Sequence, residues 1–399
     1  MKKLMLLGGT RFILPAIDTA HKLGAHVITC DYLPDNYAHK FSDQYCNVSV
    51  VDQEAVLKAA MELQIDGILA YASDAGAVSA SYVAEKMGLP GNPYESVSIL
   101  QNKGRFRRYL KEHGYNVPRA KAYDCVRDAV ADARNWDFPV IVKPTDSAGS
   151  KGVSRVDAPS QIEAAAQKAV ENSIEGRFII EQYIAQAGYS TDSDSFSINS
   201  ELVFCSFDDQ MFDQRADNPY APAGFMWPST MSTDAQEELH SEIARLIREL
   251  QIGTAIYNIE TRVGQDQKAY IMELSPRAGG NRLAEMLRYA TGQDIILSTI
   301  QSALGMEIDP VPTQPVYDGF WGEAILHSRK DGFYEGITLL GDAKRCAVEV
   351  DVHVEKGDRV HSFSSGRDEI GTLVLKASCR EELETILRNI DDLVQIRVQ

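Results

Sequence analysis

The sequence has few of the features that mark secreted, membrane or zinc-binding proteins. Its six cysteines are widely spaced and include no C-x-x-C pair, so neither a zinc site nor a disulfide framework is indicated. No apolar run approaches the roughly 20 residues that a helix needs to cross a bilayer. Gly-Gly interrupts the first apolar run too early for a signal peptide. We therefore expect a reduced, cytoplasmic protein without a membrane partner.

Positive charge is scarce as well. The 399 residues include 40 Lys and Arg against 57 Asp and Glu, and the formal net charge is -17. This charge repels nucleic acid, which we therefore exclude as a partner. The chain also lacks the Walker A pattern G-x-x-x-x-G-K-[ST], and "LGGTRF" after the first predicted strand lacks the G-x-G-x-x-G spacing of a dinucleotide site. Close packing of a helix on a strand explains the glycines of "LGGTRF" equally well.

The chain is too long for one ordinary core, which predicts two or three domains. Strand and helix patterns alternate through residues 1–93 and predict three βα units around a parallel sheet. Residues 310–399 show short strands and a final helical pattern. The segment 205–231 has neither period and contains three prolines. Such a segment is typical of a functional loop, and the alternative is a surface excursion that its aromatic residues anchor to the core.

A phosphate site is one interpretation of "PVIVKPTDSAGSKGV", residues 139–153. An apolar strand leads into Lys143, Pro144 ends it, and a Gly/Ser-rich stretch with a second lysine follows. A solvated strand end with an ordinary loop is the alternative. The functional interpretation is a fixed ammonium group beside a loop whose backbone N–H groups face an anion.

A metal site is indicated by two β-rich runs, "AIYNIETRV" and "KAYIMEL", which flank the polar turn "GQDQ" and predict a hairpin. If the turn is centred between Asp266 and Gln267, Glu260 lies directly opposite Glu273. Opposed carboxylates on adjacent strands destabilise the sheet, and a divalent cation would compensate. The alternative, two exposed glutamates on a solvated face, is disfavoured because their neighbours in the sequence are apolar.

These features, together with Lys103 in a basic helical stretch and a strand ending "EQYI", resemble in their order the ATP-grasp superfamily. That superfamily contains biotin carboxylase, D-alanine–D-alanine ligase and the purine-pathway glycinamide ligases and transformylase. The resemblance covers nearly the whole chain and implies an α/β and α+β fold. It implies a pre-ATP-grasp parallel-sheet domain at 1–93, an ATP-grasp domain at 94–305 with a lid subdomain at about 121–190, and a C-terminal β-rich domain at 306–399.

The resemblance also implies how the chain binds ATP. The residues that contact or close over the phosphates are Lys103, Lys143, Ser147, Gly149, Ser150 and Gly152. The residues at the adenine hinge are Glu181, Gln182, Tyr183 and Ile184. Either Asp192 or Asp194 has to contact the ribose, because the segment after the hinge is longer than in relatives.

For the metal and the chemistry, the resemblance implies that Glu260 and Glu273 bind Mg²⁺, with Mn²⁺ as an alternative metal. Ser275 stands where Asn is common, as in the purine transformylase branch. Arg277 would stabilise the transferring phosphoryl group together with Lys143 as the catalytic residues. The residues expected at the substrate are Arg215, Arg277 and Asn281.

The activity implied is that of a carboxylate–amine ligase, which activates a small-molecule carboxylate with ATP as an acyl phosphate and transfers it to an amine. Two alternatives stay open. One is a bicarbonate- or formate-activating enzyme of the carboxylase or purine type, and the other is a catalytically silent nucleotide-binding module. Relatives are commonly dimers, so we expect a homodimer.

Overall fold

The structure, a computed structural model, describes residues 1–147 and 149–399. Ala148, in the predicted phosphate loop, lies outside the described residues. The predicted mixed α/β and α+β architecture is confirmed, since one parallel sheet is followed by antiparallel sheets. No helix in residues 1–147 and 149–399 is long and apolar enough to cross a membrane.

The first sheet is parallel and lies between helices. Its strands are β1 Lys3–Leu7, β2 His26–Cys30, β3 Gln44–Cys46 and β4 Gly67–Leu69, in the order β3-β2-β1-β4. The helices that follow strands are α1 Leu14–Lys22, α2 Gln53–Leu63 and α3 Asp74–Met87. After Lys3, strand β1 is apolar because it is buried on both faces, with Leu4 and Leu6 in one core cluster and Met5 and Leu7 in another.

Two helices connect this sheet to the rest of the chain, namely α4 Tyr94–Gln101 and α5 Lys103–Glu112. The side chain of Asn102 caps α5 by accepting a hydrogen bond from the Arg105 N–H at 3.1 Å. Lys103 is therefore the first residue of a capped helix. The short 3-10 turns of the chain span Arg11–Ile13, Tyr37–Phe41, Ala133–Asn135 and Pro159–Gln161.

The second sheet is antiparallel and carries the predicted phosphate loop. Its strands are β5 Ala120–Tyr123, β6 Val140–Pro144, β7 Ser154–Val156 and β8 Phe178–Gln182, in the order β5-β8-β6-β7. Helices α6 Val126–Asp132 and α7 Ile162–Glu171 cover one face. Val140, Val142 and Ile180 point into that helical core, so alternation along the strands turns Lys143 and Glu181 to the opposite face.

The third sheet contains the predicted metal hairpin. Its strands are β9 Thr191–Ile198, β10 Glu201–Cys205, β13 Ala255–Val263 and β14 Ala269–Ser275, in the order β10-β9-β13-β14. Helix α8 Thr233–Glu249 packs on this sheet through Leu239 and Ile243, which share a core cluster with Ile259. Helices α9 Leu283–Thr291 and α10 Ile295–Ala303 follow.

The prediction of a functional loop at 205–231 is wrong, because parts of this segment are strands of a fourth sheet. That segment forms β11 Asp209–Phe212 and β12 Pro222–Trp227. They share a sheet with the later strands β15 Phe320–His327, β17 Ala347–Val352 and β19 Glu369–Ala377, in the order β11-β12-β15-β19-β17. Phe225 and Trp227, two aromatic residues of this segment, are fully buried in the core. This sheet joins strands from both sides of the boundary predicted at 305/306.

The remaining elements complete the C-terminal part. Strands β16 Gly332–Leu339, β18 Arg359–Val360 and β20 Val394–Val398 pair in the order β18-β16-β20, beside helices α11 Gly341–Cys346, α12 Arg380–Arg388 and α13 Ile390–Leu393. The predicted final helix therefore ends at Leu393, and the last residues form a strand. Pairing with β16 decides this outcome, because the alternating residues of β20 extend that sheet.

Candidate active site

Lys103 links the two halves of the predicted nucleotide site. Its Nζ donates to the carbonyl oxygen of Ser147 at 2.8 Å and lies 3.3 Å from Oε2 of Glu273. Its backbone N–H donates to the carbonyl of Thr145 at 2.9 Å. The Lys103 side chain is mostly buried, with 13% of its surface exposed. One ammonium group thus contacts both the Gly/Ser-rich loop and the metal hairpin.

A second lysine is held in a buried charge cluster. Nζ of Lys143 lies 2.8 Å from Oε2 of Glu181, and Nε of Arg107 lies 2.9 Å from Oε1 of the same carboxylate. Burial alone would raise the pKa of Glu181, but the charges of Arg107 and Lys143 override it and lower that pKa to about 2. Burial lowers the pKa of Lys143, and Glu181 opposes that shift. Glu181 therefore orients Lys143 with its side chain and is charged at neutral pH.

The predicted adenine hinge has only part of its backbone available. The N–H of Gln182 donates to the carbonyl of Arg119 at 2.8 Å, and the N–H of Tyr183 donates to that of Pro139 at 3.3 Å. The N–H of Ile184 donates to no acceptor within residues 1–147 and 149–399. Of the last three residues predicted at the hinge, Gln182 and Tyr183 thus use their N–H groups within the protein, whereas the N–H of Ile184 is open to another acceptor.

The loop after β6 requires glycine at Gly152. Gly149, Ser150 and Gly152 have φ angles of 65°, 57° and 71°, a region that favours glycine. A Cβ at Gly152 would lie 2.8 Å from Cβ of Asn172 and 2.9 Å from Cγ of Pro144, whereas a Cβ at Gly149 would meet nothing within 4 Å. The loop is thus packed at one glycine and open at the other.

Glu260 lies directly opposite Glu273 in the β13–β14 hairpin, as predicted. The turn of the hairpin is not centred where the sequence predicts, however. Val263 pairs with Ala269, which centres the turn on Asp266, one half-step from the expected centre. A register shift at Glu260/Thr261 then adds one residue to β14 and restores the alignment of the two carboxylates.

The paired glutamates have the donor chemistry of a Mg²⁺ site. Mg²⁺ is usually bound by one or two carboxylates together with phosphate oxygens and water, so two glutamates suffice beside a triphosphate. Within residues 1–147 and 149–399 no group of three or more His, Cys, Asp or Glu residues is arranged around a metal position. The hydroxyl of Ser275 donates a hydrogen bond to Oδ1 of Asp74 at 2.8 Å.

Arg277 is held by a residue that the sequence analysis missed. Its Nε and NH2 groups donate to Oδ1 and Oδ2 of Asp74, both at 2.8 Å. Burial raises the pKa of Asp74, but Arg277 outweighs burial and the net shift is downward. Asp74 is the first residue of α3, just after the carboxyl end of parallel strand β4. That position, where parallel sheets bind ligands, is the signal that would have identified it.

The two aspartates predicted at the ribose lie on β9, which pairs with β13. Asp192 is paired with Glu260, and Nδ2 of Asn258 donates to Oδ1 of Asp192 at 2.7 Å. Asp194 is fully buried and accepts a hydrogen bond from the N–H of Gly279 at 2.8 Å. Burial, reinforced by Glu260, raises the pKa of Asp192 to about 7, and burial raises that of Asp194 to about 7. The burial of Asp194 keeps it from a ribose hydroxyl.

The predicted substrate residues separate into two places. Asn281 lies four residues after Arg277, with a φ of 53°. Arg215 instead points to the C-terminal part, where its guanidinium pairs with Asp391 and its Nε lies 3.7 Å from Oδ1 of Asp213. The Arg215 side chain is 65% exposed. The structure therefore does not bring Arg215 together with Lys103, Glu273 and Arg277, because the two aspartates hold it elsewhere.

Two family models match separate parts of the chain. Residues 136–285 match the ATP-grasp domain, and residues 324–399 match the L-amino acid ligase C-terminal domain 2. The first match includes Lys143, Glu260, Glu273 and Arg277.

Known relatives are distant. The carbamoyl phosphate synthase large chain of Thermotoga petrophila is 25% identical over 240 residues, which are 58% of this chain and 21% of that relative. The chain thus spans about a fifth of the length of the first relatives that it matches. The formate-dependent phosphoribosylglycinamide formyltransferase of Parasynechococcus marenigrum is 25% identical over 332 residues, 82% of this chain and 81% of the relative. The crystal structure of L-amino acid ligase from Bacillus licheniformis has a TM-score of 0.81 at 20% identity, covers 100% of this chain and 99% of that chain, and shares its fold.

Proposed function

We propose that the chain is an ADP-forming ligase that activates a carboxylate with ATP and joins it to an amine, which the match of residues 136–285 to the ATP-grasp domain supports. The observation that carries the proposal is the position of Lys103, which contacts the Gly/Ser-rich loop at Ser147 and the paired glutamates at Glu273. A phosphate chain between these two features would lie within reach of Lys103 and Lys143. The match of residues 324–399 to an L-amino acid ligase domain supports amino acids as substrates.

The residues of the site are suited to phosphoryl transfer, which depends on charge neutralisation and positioning. In the first step the substrate carboxylate attacks the γ-phosphorus, and the bond to the β–γ bridging oxygen breaks to release ADP. In the second step the amine attacks the acyl carbon and inorganic phosphate leaves. When bound, Mg²⁺ supplies charge neutralisation at the phosphate oxygens, and Glu260 and Glu273 are the residues that would hold it.

The protein's own cations act at defined places in this proposal. Lys103 and Lys143 bind the phosphates, while Glu181 fixes the direction of Lys143. Arg277 presents a planar guanidinium that Asp74 orients through two hydrogen bonds. The loop from Ser147 to Gly152 would exclude water, which protects an acyl phosphate from hydrolysis. Arg215 has no part in this assignment, because its ion pairs hold it at the surface.

Four finer assignments stay predictions. These are the contact of Asp192 with the ribose, Mn²⁺ as an alternative metal, a homodimer, and a location in the cytoplasm.

Trapping of the acyl phosphate tests the proposal. We expect that ATP, Mg²⁺ and a panel of amino acids will release ADP in an amine-dependent manner. Hydroxylamine in place of the amine should yield the hydroxamate of the activated carboxylate. A chain without ADP release for any carboxylate would contradict the ligase and favour a silent nucleotide-binding module.

The second candidate is activation of formate or bicarbonate. It is favoured by the likeness to the formate-dependent formyltransferase over 81% of that relative's length, and by Ser275. The same experiment separates the two candidates, because formate would give formohydroxamate, and bicarbonate would stimulate ADP release in the absence of any other carboxylate.

A further inference from the structure

The C-terminal loop at 364–368 has a fixed conformation. The carboxylate of Asp368 accepts hydrogen bonds from the backbone N–H groups of Ser364 and Ser365, both at 3.0 Å, and from the Ser364 hydroxyl at 2.7 Å. Phe363, just before the loop, is buried and stacks on His327 with ring centroids 4.1 Å apart. The loop is therefore positioned by its own contacts before any ligand binds. The sequence pattern of residues 310–399 does not indicate a catalytic or binding role.

Contacts connect this loop to the Gly/Ser-rich loop. The hydroxyl of Ser150 donates to the carbonyl of Tyr220 at 3.1 Å, and Nδ2 of Asn218 donates to the carbonyl of Ser364 at 2.9 Å. Three separate parts of the chain, 149–152, 218–220 and 364–368, are thus neighbours.

The same loop also reaches the segment that follows Arg277. A Cβ placed on Gly366 would lie 3.8 Å from Oδ1 of Asn281. Gly366 therefore stands in van der Waals range of a predicted substrate residue. Arg367 is the next residue along the chain.

Two cationic residues, Arg367 and Lys151, belong to these connected loops. Arg367 is exposed, and its guanidinium forms no ion pair within residues 1–147 and 149–399. Burial and then the charge of Arg367 lower the pKa of Lys151, while Asp74 opposes that shift. The carboxylate of Asp74 is already bound by Arg277. Like charges destabilise one another unless an anion lies between them.

We propose that Arg367 and Asn281 form a binding subsite for the carboxylate of the amine substrate. This inference rests on the proposed ligase function and names its acceptor as an amino acid bound through its own carboxylate. A guanidinium binds a carboxylate through two parallel hydrogen bonds, and the Asn281 amide adds a donor. An acceptor carboxylate held by these two residues would be bound without being activated.

The triphosphate is the rival occupant, but Lys103, which contacts the loop at Ser147, and Lys143, which pairs with Glu181, are already assigned to it. Its binding does not require a residue of the C-terminal loop. A rival role in ATP binding makes a different kinetic prediction, which the following experiment measures.

The test compares each standard amino acid with its amide, which keeps the amine and lacks the carboxylate. The first readout is the shift in melting temperature on adding either compound to protein with Mg²⁺ and a nonhydrolysable ATP analogue. It needs no turnover. In the wild type we expect an amino acid to give the larger shift, and in Arg367→Gln we expect the two shifts to be equal.

The second readout is the KM of the acceptor in ADP release. Arg367→Gln should raise the KM of the amino acid acceptor by about tenfold to a hundredfold, as for loss of a charge-assisted contact, while the amide and ATP keep their KM values. Arg367→Lys should restore part of the discrimination. Arg359→Gln, an exposed arginine on β18 of the same part of the chain, is the matched control and should behave as the wild type.

Three results would overturn the subsite. They are equal melting shifts by acid and amide in the wild type, equal losses for both acceptors in Arg367→Gln, and a raised KM for ATP with acceptor discrimination intact. The proposed function is judged separately, by ADP release from the wild-type protein. A wild type that binds the acid in preference to the amide yet forms no ADP would retain the subsite and remove the ligase.

Discussion

Asp74 and Arg277 form a bidentate ion pair that links the start of α3 to the end of the β13–β14 hairpin, with both N–O distances at 2.8 Å. The side chains are 20% and 10% exposed, so the pair is largely withdrawn from water. A carboxylate at the start of α3 thereby sets the direction of the guanidinium proposed to act on the transferring phosphoryl group.

Replacing this carboxylate by an amide should impair catalysis and stability together. In Asp74→Asn we expect kcat to fall by about tenfold to a hundredfold because Arg277 loses its alignment. The free energy of unfolding should fall by about 3 kcal/mol because a largely buried cation is left unpaired. ADP release and urea unfolding measure the two effects. Asp124→Asn, which removes an exposed ion pair with Arg177, is the control. It should leave kcat unchanged and lower the free energy of unfolding by no more than about 1 kcal/mol. Normal kcat in Asp74→Asn would contradict the positioning role.

The paired glutamates are expected to bind Mg²⁺ only with both charges present. Glu273→Gln keeps the size of the side chain and should reduce Mg²⁺-dependent ADP release by about a hundredfold or more. It should also abolish the rise in melting temperature that Mg²⁺ and a nonhydrolysable ATP analogue give to the wild type. Glu201→Gln, an exposed glutamate on β10, is the matched control. Near-normal activity of Glu273→Gln across a Mg²⁺ titration would refute the metal assignment.

The two loop glycines should differ in their tolerance of a methyl group. Gly152→Ala combines a positive φ with contacts below 3 Å, so we expect the loop to move and the KM for ATP to rise at least about tenfold. Gly149→Ala has the strained φ without the contacts and should show a smaller rise. Gly176→Ala, with a φ of 70° and open space, tests the cost of φ outside the loop. Equal KM values for the Gly152 and Gly149 variants would show that the packing at Gly152 does not matter.

Asp194 should make stability depend on pH near neutrality. Its folded pKa of about 7 lies above the ordinary value of 3.8. The folded state therefore keeps a proton that the unfolded state has lost, so this contribution is complete below pH 3.8 and is lost as the pH rises through about 7. Asp194→Asn keeps the acceptor for Gly279 and carries no charge. Between pH 5 and pH 8 the wild type should lose at least about 1 kcal/mol more of unfolding free energy than the variant. Parallel stability curves for the two proteins would contradict this assignment.

Local patterns in the sequence sufficed for part of the site. Lys143 ends an apolar strand before a Gly/Ser stretch, and Glu260 and Glu273 are placed by the symmetry of one hairpin. Even there, the register shift at Glu260/Thr261 was invisible, because nothing in the residue types marks the extra residue of β14. The parallel sheet was likewise predictable from its alternating strands and helices.

What the sequence did not reveal depends on contacts between distant residues. Asp74 pairs with a residue 203 positions away, and the loop around Gly366 approaches Asn281 only through folding of the C-terminal part. Strand β12 looked aperiodic because both of its faces are covered, which removes the alternation that marks a half-buried strand. Arg215 was assigned to the substrate by its place in the sequence order, whereas Asp391 determines where it points.

The pairing of β12 with β15 has a consequence for building chimeric enzymes. Trp227 lies opposite Trp321, so a fragment cut at the predicted boundary of 305/306 would carry β11 and β12 without their neighbour, and the transplanted C-terminal part would lack them in turn. Each piece would present an unsatisfied strand edge and its apolar side chains to solvent, which favours aggregation. A chimera of this protein and a relative should therefore exchange residues 205–231 together with residues 306–399, because the two segments belong to one sheet.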